Sequence, residues 1–203
     1  MPRNLLSSAP LLVALGLTLA ASGWAGPATD HVRSRVDDVL RVLDDAGFKG
    51  AEHARERRVA VRRILESAVD FREMTERALG RHWTGRTEAE RHEFVGLFTD
   101  FLERSYLSKI DAYDGDRITY IGERVSGDLA VVQIRVTSSP QGNETLVDFR
   151  LMRGGGDRWW VYDVAIDGGS LVDNYRGQFN TVIRRSSYGE LVKKIRGIIA
   201  DQK

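Results

Sequence analysis

The chain has 203 residues, with 30 basic side chains against 29 acidic ones and no cysteine. So even a balance excludes a general nucleic-acid binder, which carries a strong basic excess. The missing cysteine excludes thiol catalysis, Cys-based metal sites and a lipidated N-terminal Cys, and the length suits one domain able to bury a real core.

Residues 1–25 read as a cleaved secretory signal. Met1 and Arg3 give a positive start, residues 11–21 are uncharged and apolar, and Gly23-Trp24-Ala25 offers small residues at the two positions a signal peptidase reads. A spanning helix needs about 20 apolar residues, and this run is shorter and preceded by Pro10; a retained N-terminal anchor is the alternative. Cleavage near Ala25 removes Arg3 and leaves a mature domain, 26–203, of net charge near zero, exported and held together without disulfides.

Val32, Val36, Val39, Leu40, Leu43 and Ala46 then recur at helical spacing, with Asp30 as the N-cap and Gly47 as the stop. A highly charged helix follows, its apolar positions being Val59, Val61, Ile64, Leu65 and Ala68. Asp70 opens a short helix over 71–79, ended by Gly80. Thr87-Glu88-Ala89-Glu90 is a capping box, and the helix it opens carries Phe94, Leu97, Phe98, Phe101, Leu102, Tyr106, Leu107 and Ile110. Helices therefore fill 30–110.

From Arg117 the period switches to two. Strands are predicted at 117–122, 129–137, 144–152 and 159–166, separated by short breaks at 126–128, 140–143 and 154–157 that suit hairpins. Two helices, 170–185 and 187–201, close the chain. Helices, then strands, then helices is an α+β order, with a four-stranded antiparallel meander covered on one face. Val132, Ile134, Val136, Val147, Phe149, Leu151, Tyr162, Val164 and Ile166 share the apolar face. Gln133, Arg135, Asp148, Arg150 and Asp163 share the other, where cross-strand charge pairs decorate a solvated side. The expected cover is the helix over 94–110 and the one bearing Leu171, Val172, Tyr175, Phe179 and Val182.

Periodicity alone reads Phe98, Phe149, Tyr162 and Phe179 as packing. Two features point further: Tyr106, Tyr113, Tyr162 and Tyr175 carry hydroxyls that need partners when buried, and a curved sheet with its helices held apart makes a cavity suited to an apolar ligand.

Three stretches, Val147-Asp148-Phe149-Arg150-Leu151, Val161-Tyr162-Asp163-Val164 and Ser170-Leu171-Val172 running through Asn174-Tyr175-Arg176 to Gln178-Phe179-Asn180, resemble the MlaC family in order and spacing. These are periplasmic phospholipid-binding proteins, also known as toluene-tolerance auxiliary components. Val69-Asp70-Phe71, Met74, Leu79-Gly80, Trp83, Glu93-Phe94 and Tyr106 fit as well, so the likeness spans roughly 59–196. Gly169, Gly177 and Trp160 depart from it, standing where a larger apolar residue, Ser and a polar residue are common.

The fold reads as a cystatin-like or NTF2-like curved sheet, and the resemblance implies a carrier, most simply a monomer, holding both acyl chains of a phospholipid in a deep apolar pocket. It also implies partners, an inner-membrane ABC transporter complex and an outer-membrane lipoprotein–porin complex, in the maintenance of outer-membrane lipid asymmetry. Each methylene moved from lipid to water costs about 0.8 kcal/mol, so two chains of about 15 carbons cost on the order of 20 kcal/mol, which a surface groove cannot offset. By alternation and resemblance together the lipid-contact candidates are Phe98, Leu102, Tyr106, Val132, Ile134, Val136, Val147, Phe149, Leu151, Tyr162, Val164, Tyr175 and Phe179. A paralogue carrying another lipid, such as a hopanoid, and an envelope adaptor with a collapsed cavity are the rival readings.

Arg184, Arg185, Lys193, Lys194 and Arg196 read either as a solvated helix surface or as an electrostatic patch for docking partners or membrane. The four histidines lack metal-ligand spacing, Gly168-Gly169-Ser170-Leu171-Val172 lacks the last Gly of a nucleophile elbow, and Gly154-Gly155-Gly156 is a turn without the helix and Lys of a phosphate loop. No catalytic residue, metal, cofactor or nucleic-acid partner is expected.

Overall fold

Local chemistry sets most of the element ends. The computed structural model describes residues 26–111, 113, 115–139 and 142–201. The leader read in 1–25 lies outside them, as do the side chains of Leu107 and Ile110 and part of the 140–143 turn. Helix α1 (Pro27–Asp44) starts earlier than expected: Gly26 is its N-cap and Pro27 its first residue, where a missing N–H is harmless. Asp30 therefore lies in the first turn and not at the cap. After α2 (Ala54–Ala68), the Asp70 carboxylate accepts from Glu73 N at 2.9 Å and opens α3 (Phe71–Leu79). The capping box forms as read, with Glu90 N donating to Thr87 Oγ1 at 3.2 Å and Thr87 N to Glu90 Oε2 at 2.8 Å, at the head of α4 (Glu88–Asp111).

The sheet is an antiparallel meander of five strands and not four: β1 (Arg117–Ser126), β2 (Leu129–Thr137), β3 (Glu144–Arg153), β4 (Trp159–Ile166) and β5 (Gly169–Ser170), in that spatial order. The extra strand exists because Asp167 and Gly168 both take positive φ, +47° and +83°, the backbone of a two-residue hairpin. That turn lays Gly169 and Ser170 back along Ile166 and Ala165. Strand β1 outruns its expected end at Gly122 because a bulge between Tyr120 and Gly122 resets the ladder, which then continues to Ser126.

The layers also differ from expectation. Helix α1 covers the sheet, where Ala28 and Val32 close on Ala130, Val132, Ile134, Leu151, Trp159 and Val161. Helix α4 does not roof the sheet but sits in a second core with α3, α5 (Leu171–Arg185) and α6 (Tyr188–Asp201), built on Met74, Leu79, Phe94, Phe98, Tyr175, Phe179, Leu191 and Ile195. Size and shape explain the exchange. The narrow Ala/Val stripe of α1 fits a β-branched sheet face, whereas α4 carries apolar side chains around most of its circumference and needs helices on several sides. Its rings find each other: Phe98 meets Tyr175 edge-on at 5.3 Å and Phe179 at 5.2 Å between centroids.

A second bulge, between Arg150 and Leu151, leaves Tyr162 as the extra residue of β4. A charge pair expected on the polar face forms between Arg150 and Asp163 at 3.0 Å, and the neutral Gln133 Nε2 donates to Asp148 at 2.7 Å. Asp163, however, is not solvated: it is 2% exposed. The β5 turn folds the start of α5 onto it, so its carboxylate also accepts from Ser170 Oγ at 2.6 Å and from Val172 N at 3.1 Å. Ser170 caps α5 as read, accepting from Asp173 N at 3.0 Å.

Helices α1 and α2 pack together, and His31 of α1 is hydrogen-bonded to the backbone of Ala68 while its Nε2 is buried without a partner. Burial holds the imidazole below its ordinary pKa of 6.5; the bond to Ala68 opposes this, and the cations Arg35 and Arg158 add to it.

Two outcomes follow for stability. Asp163→Ala, which strands a buried Val172 N–H and frees Arg150, is expected to cost about 3 kcal/mol in denaturant unfolding, against about 1 kcal/mol for Ser170→Ala. Equal, small effects would remove Asp163 from its central place. Below pH 6.5 the unfolded chain binds a proton at His31 that the folded protein resists, so stability is lost as pH falls through that value. His31→Gln should flatten this part of the unfolding-midpoint profile, and an unchanged profile would contradict it.

Candidate functional site

The chain between α2 and α3 is pinned to the sheet. Asp70 N donates to the Val161 carbonyl at 2.9 Å, and Val69 bridges Val161 in parallel. From that elbow α2 runs toward α1 and the sheet core, while α3 runs into the helical core. Two cores that diverge from one point leave a fork between them, and the fork contains a hollow of about 220 Å³.

Its walls come from four directions. Val61 and Leu65 project from α2; Val69, Phe71 and Met74 come from the elbow and α3; Thr99, Leu102 and Tyr106 come from α4; and Val164, Ile166 and Leu171 form the floor. The polar atoms in these walls are already engaged. Thr99 donates to the Val95 carbonyl at 2.8 Å, and the Tyr106 and Tyr175 hydroxyls bond each other, which together with the stronger effect of burial pushes the Tyr175 pKa upward. Such a lining offers water few partners and suits hydrocarbon.

The charged members of the lining are Arg62 and Glu103. Arg62 reaches across from α2 to Asp100 and Glu103 of α4, at 2.8 Å each, and to Glu66 at 2.9 Å. Its side chain is 38% exposed. Charges remain in water when they can, so this cluster marks the edge where the hollow meets solvent. The bond to Glu66 does most to raise the Arg62 pKa above its ordinary value, outweighing burial, and Asp100 and Glu103 add to it.

Of the lipid-contact candidates, Leu102, Tyr106 and Val164 line this hollow. Phe98, Tyr175 and Phe179 stand in the ring cluster of the adjoining helical core. Val132, Ile134 and Leu151 are buried beneath α1, and Val136, Val147 and Phe149 are half-buried against that same core. Tyr162 lies under the Arg77 guanidinium, 4.1 Å from the ring centroid. Sequence reasoning left out Val61, Leu65, Phe71, Met74 and Leu171. A signal for them was present: Val69-Asp70-Phe71 and Met74 belong to the family-like pattern but read simply as a helix start. Of the candidate docking cations, Arg184, Arg185, Lys193 and Lys194 are exposed, and Arg196 is paired with Glu93 of α4. No helix among the described residues is long and apolar enough to cross a membrane.

Residues 33–197 match the family described as MlaC protein. Among solved structures, the chain is similar to the phospholipid-binding protein from Ralstonia solanacearum in complex with a phospholipid. The TM-score is 0.78 and the identity 26%, over 87% of this chain and 99% of that one.

Proposed function

Since the chain belongs to the MlaC family, we propose that it is a periplasmic phospholipid carrier, exported by residues 1–25 and cleaved near Ala25. In this reading it moves lipid between an outer-membrane lipoprotein–porin complex and an inner-membrane ABC transporter complex, in the service of outer-membrane asymmetry. It binds and releases a ligand and performs no chemistry on it.

The observation that carries this reading is the apolar hollow in the fork, whose Thr99 and Tyr106 hydroxyls are already hydrogen-bonded. The bound phospholipid in the similar Ralstonia protein supports the ligand class. At about 220 Å³ the hollow falls below the roughly 300–1,000 Å³ of a pocket that encloses a drug-sized ligand, so two acyl chains require the fork to widen. One direct tie between α2 and α4 is the Arg62 cluster, and an ion pair this exposed contributes about 1 kcal/mol or less. Breaking that tie costs little, and the burial of acyl methylenes offsets it.

The floor extends the same way. Phe149 pairs with Val164 and Val147 with Ile166 across β3 and β4, so both continue the apolar surface past the present edge. Val132, Ile134, Val136 and Leu151 continue it beneath α1. The phosphate-bearing headgroup stays in water at the mouth of the hollow, which favours selection by chains over selection by headgroup.

Filling the hollow tests this reading. Leu65→Trp is expected to lower phospholipid co-purified per protein by about tenfold or more, read by extraction and mass spectrometry, with the melting temperature unchanged or raised. Parent protein yielding a polycyclic lipid, or no lipid at all, would overturn the phospholipid assignment in favour of another cargo or an adaptor. A folded variant retaining full phospholipid would place the pocket elsewhere.

A further inference from the structure

Three concavities run end to end along the outer face of α5. The first, of about 560 Å³, lies where the end of α3 meets α5 and is lined by Arg81, His82, Arg176 and Arg184. The second shares Asn180 and Arg184 with it and adds Arg185. The third shares Thr181 and Arg185 with the second and ends at Lys193 and Lys194 of α6. Joined, they form one trough in which Arg81, Arg176, Arg184, Arg185, Lys193 and Lys194 face only Asp173 and Glu190. None of its lining residues lines the hollow, and the buried face of α5, with Val172, Tyr175 and Phe179, points into the helical core.

Two details make the trough more than a charged surface. Asn180 in its floor accepts from Arg81 at 2.6 Å and lies 3.1 Å from His82 Nε2, which holds the end of α3 over the concavity. Gly177 lines it in the middle of α5, and a Cβ built there meets nothing within 4 Å. Its φ is not positive, so neither backbone conformation nor packing requires glycine, and glycine weakens a helix relative to alanine. What the absent side chain provides is the depth of the trough.

We propose that this trough docks an acidic segment of a partner protein in extended conformation. A flat anionic bilayer would meet the rims and leave the floor empty, whereas an extended strand fits within. The 15 residues of α5 span about 22 Å, enough for six or seven extended residues at about 3.4 Å each. Carboxylates on alternate residues, about 6.8 Å apart, then all face the trough. The proposal gives the carrier reading a class of partner and rests on it only for the reason to dock; the contact itself needs no lipid.

The test uses a labelled peptide of about seven residues alternating Glu and Ser, followed by fluorescence anisotropy, with flotation on phosphatidylglycerol vesicles in parallel. The parent should bind the peptide, and Gly177→Trp, which fills the floor and leaves every charge in place, should raise Kd about tenfold or more. Gly177→Ala should bind as the parent does, with helical circular dichroism reporting that both variants fold. Three results would overturn the proposal: no peptide binding by the parent, equal binding by Gly177→Trp, or vesicle binding in place of peptide binding. Phospholipid content of the same preparations should be unchanged by Gly177→Trp. Loss of lipid from the parent would instead count against the carrier reading, which separates the two failures.

Discussion

A carboxylate in a protein interior must be surrounded by donors, and Asp163 shows what that demand does to the whole molecule. Arg150 approaches it from the neighbouring strand, Ser170 from the far side of the β4–β5 turn, and the Val172 N–H from the first turn of α5. A negative group at a helix N-terminus is favoured in its own right. The start of α5, and with it the aromatic core on which α4 is built, is thereby tied to one point of β4. Two residues earlier in the same strand, the Val161 carbonyl takes the Asp70 N–H and fixes the elbow between α2 and α3. One short piece of β4 thus orients both cores and holds them a fixed distance apart.

The hollow is a consequence of that spacing and not of any pocket-forming motif. Helix α1 satisfies the sheet and α4 satisfies the other helices, so neither is driven into the gap between them. An apolar gap between two filled cores is a place where dispersion contacts are missing, and hydrocarbon inserted there gains contacts from both sides. Its far edge is closed by an ion-pair cluster that water can replace. Buried ties at β4 and exposed ones at the rim fit the proposed carrier, which must also let go.

Much of this was legible in the chain. The limits of β2 and β4 follow from alternation alone, and the caps at Asp70, Thr87 and Ser170 follow from side chains that satisfy backbone groups a few residues away. What alternation cannot show is a bulge. The one after Tyr120 lengthened β1, the one beside Leu151 left Tyr162 as an extra residue, and the β5 hairpin folded the start of α5 over Asp163 on a face that alternation reads as solvated. Nor does periodicity say which partner an apolar stripe selects, so α4 was given the sheet that α1 covers. The hollow was legible in part: Leu102, Tyr106 and Val164 were reached through sheet face and resemblance, while Val61 and Leu65 looked like the ordinary core positions of a charged helix.

The central claim is that the α2–α4 fork widens to enclose acyl chains, and the absence of cysteine makes it directly measurable by paired spin labels. With Arg63→Cys on α2 and Gly96→Cys on α4 as the labelled positions, pulsed dipolar spectroscopy should show the separation lengthen on phospholipid loading and shorten on delipidation. Identical distance distributions in the loaded and the empty protein would contradict the claim.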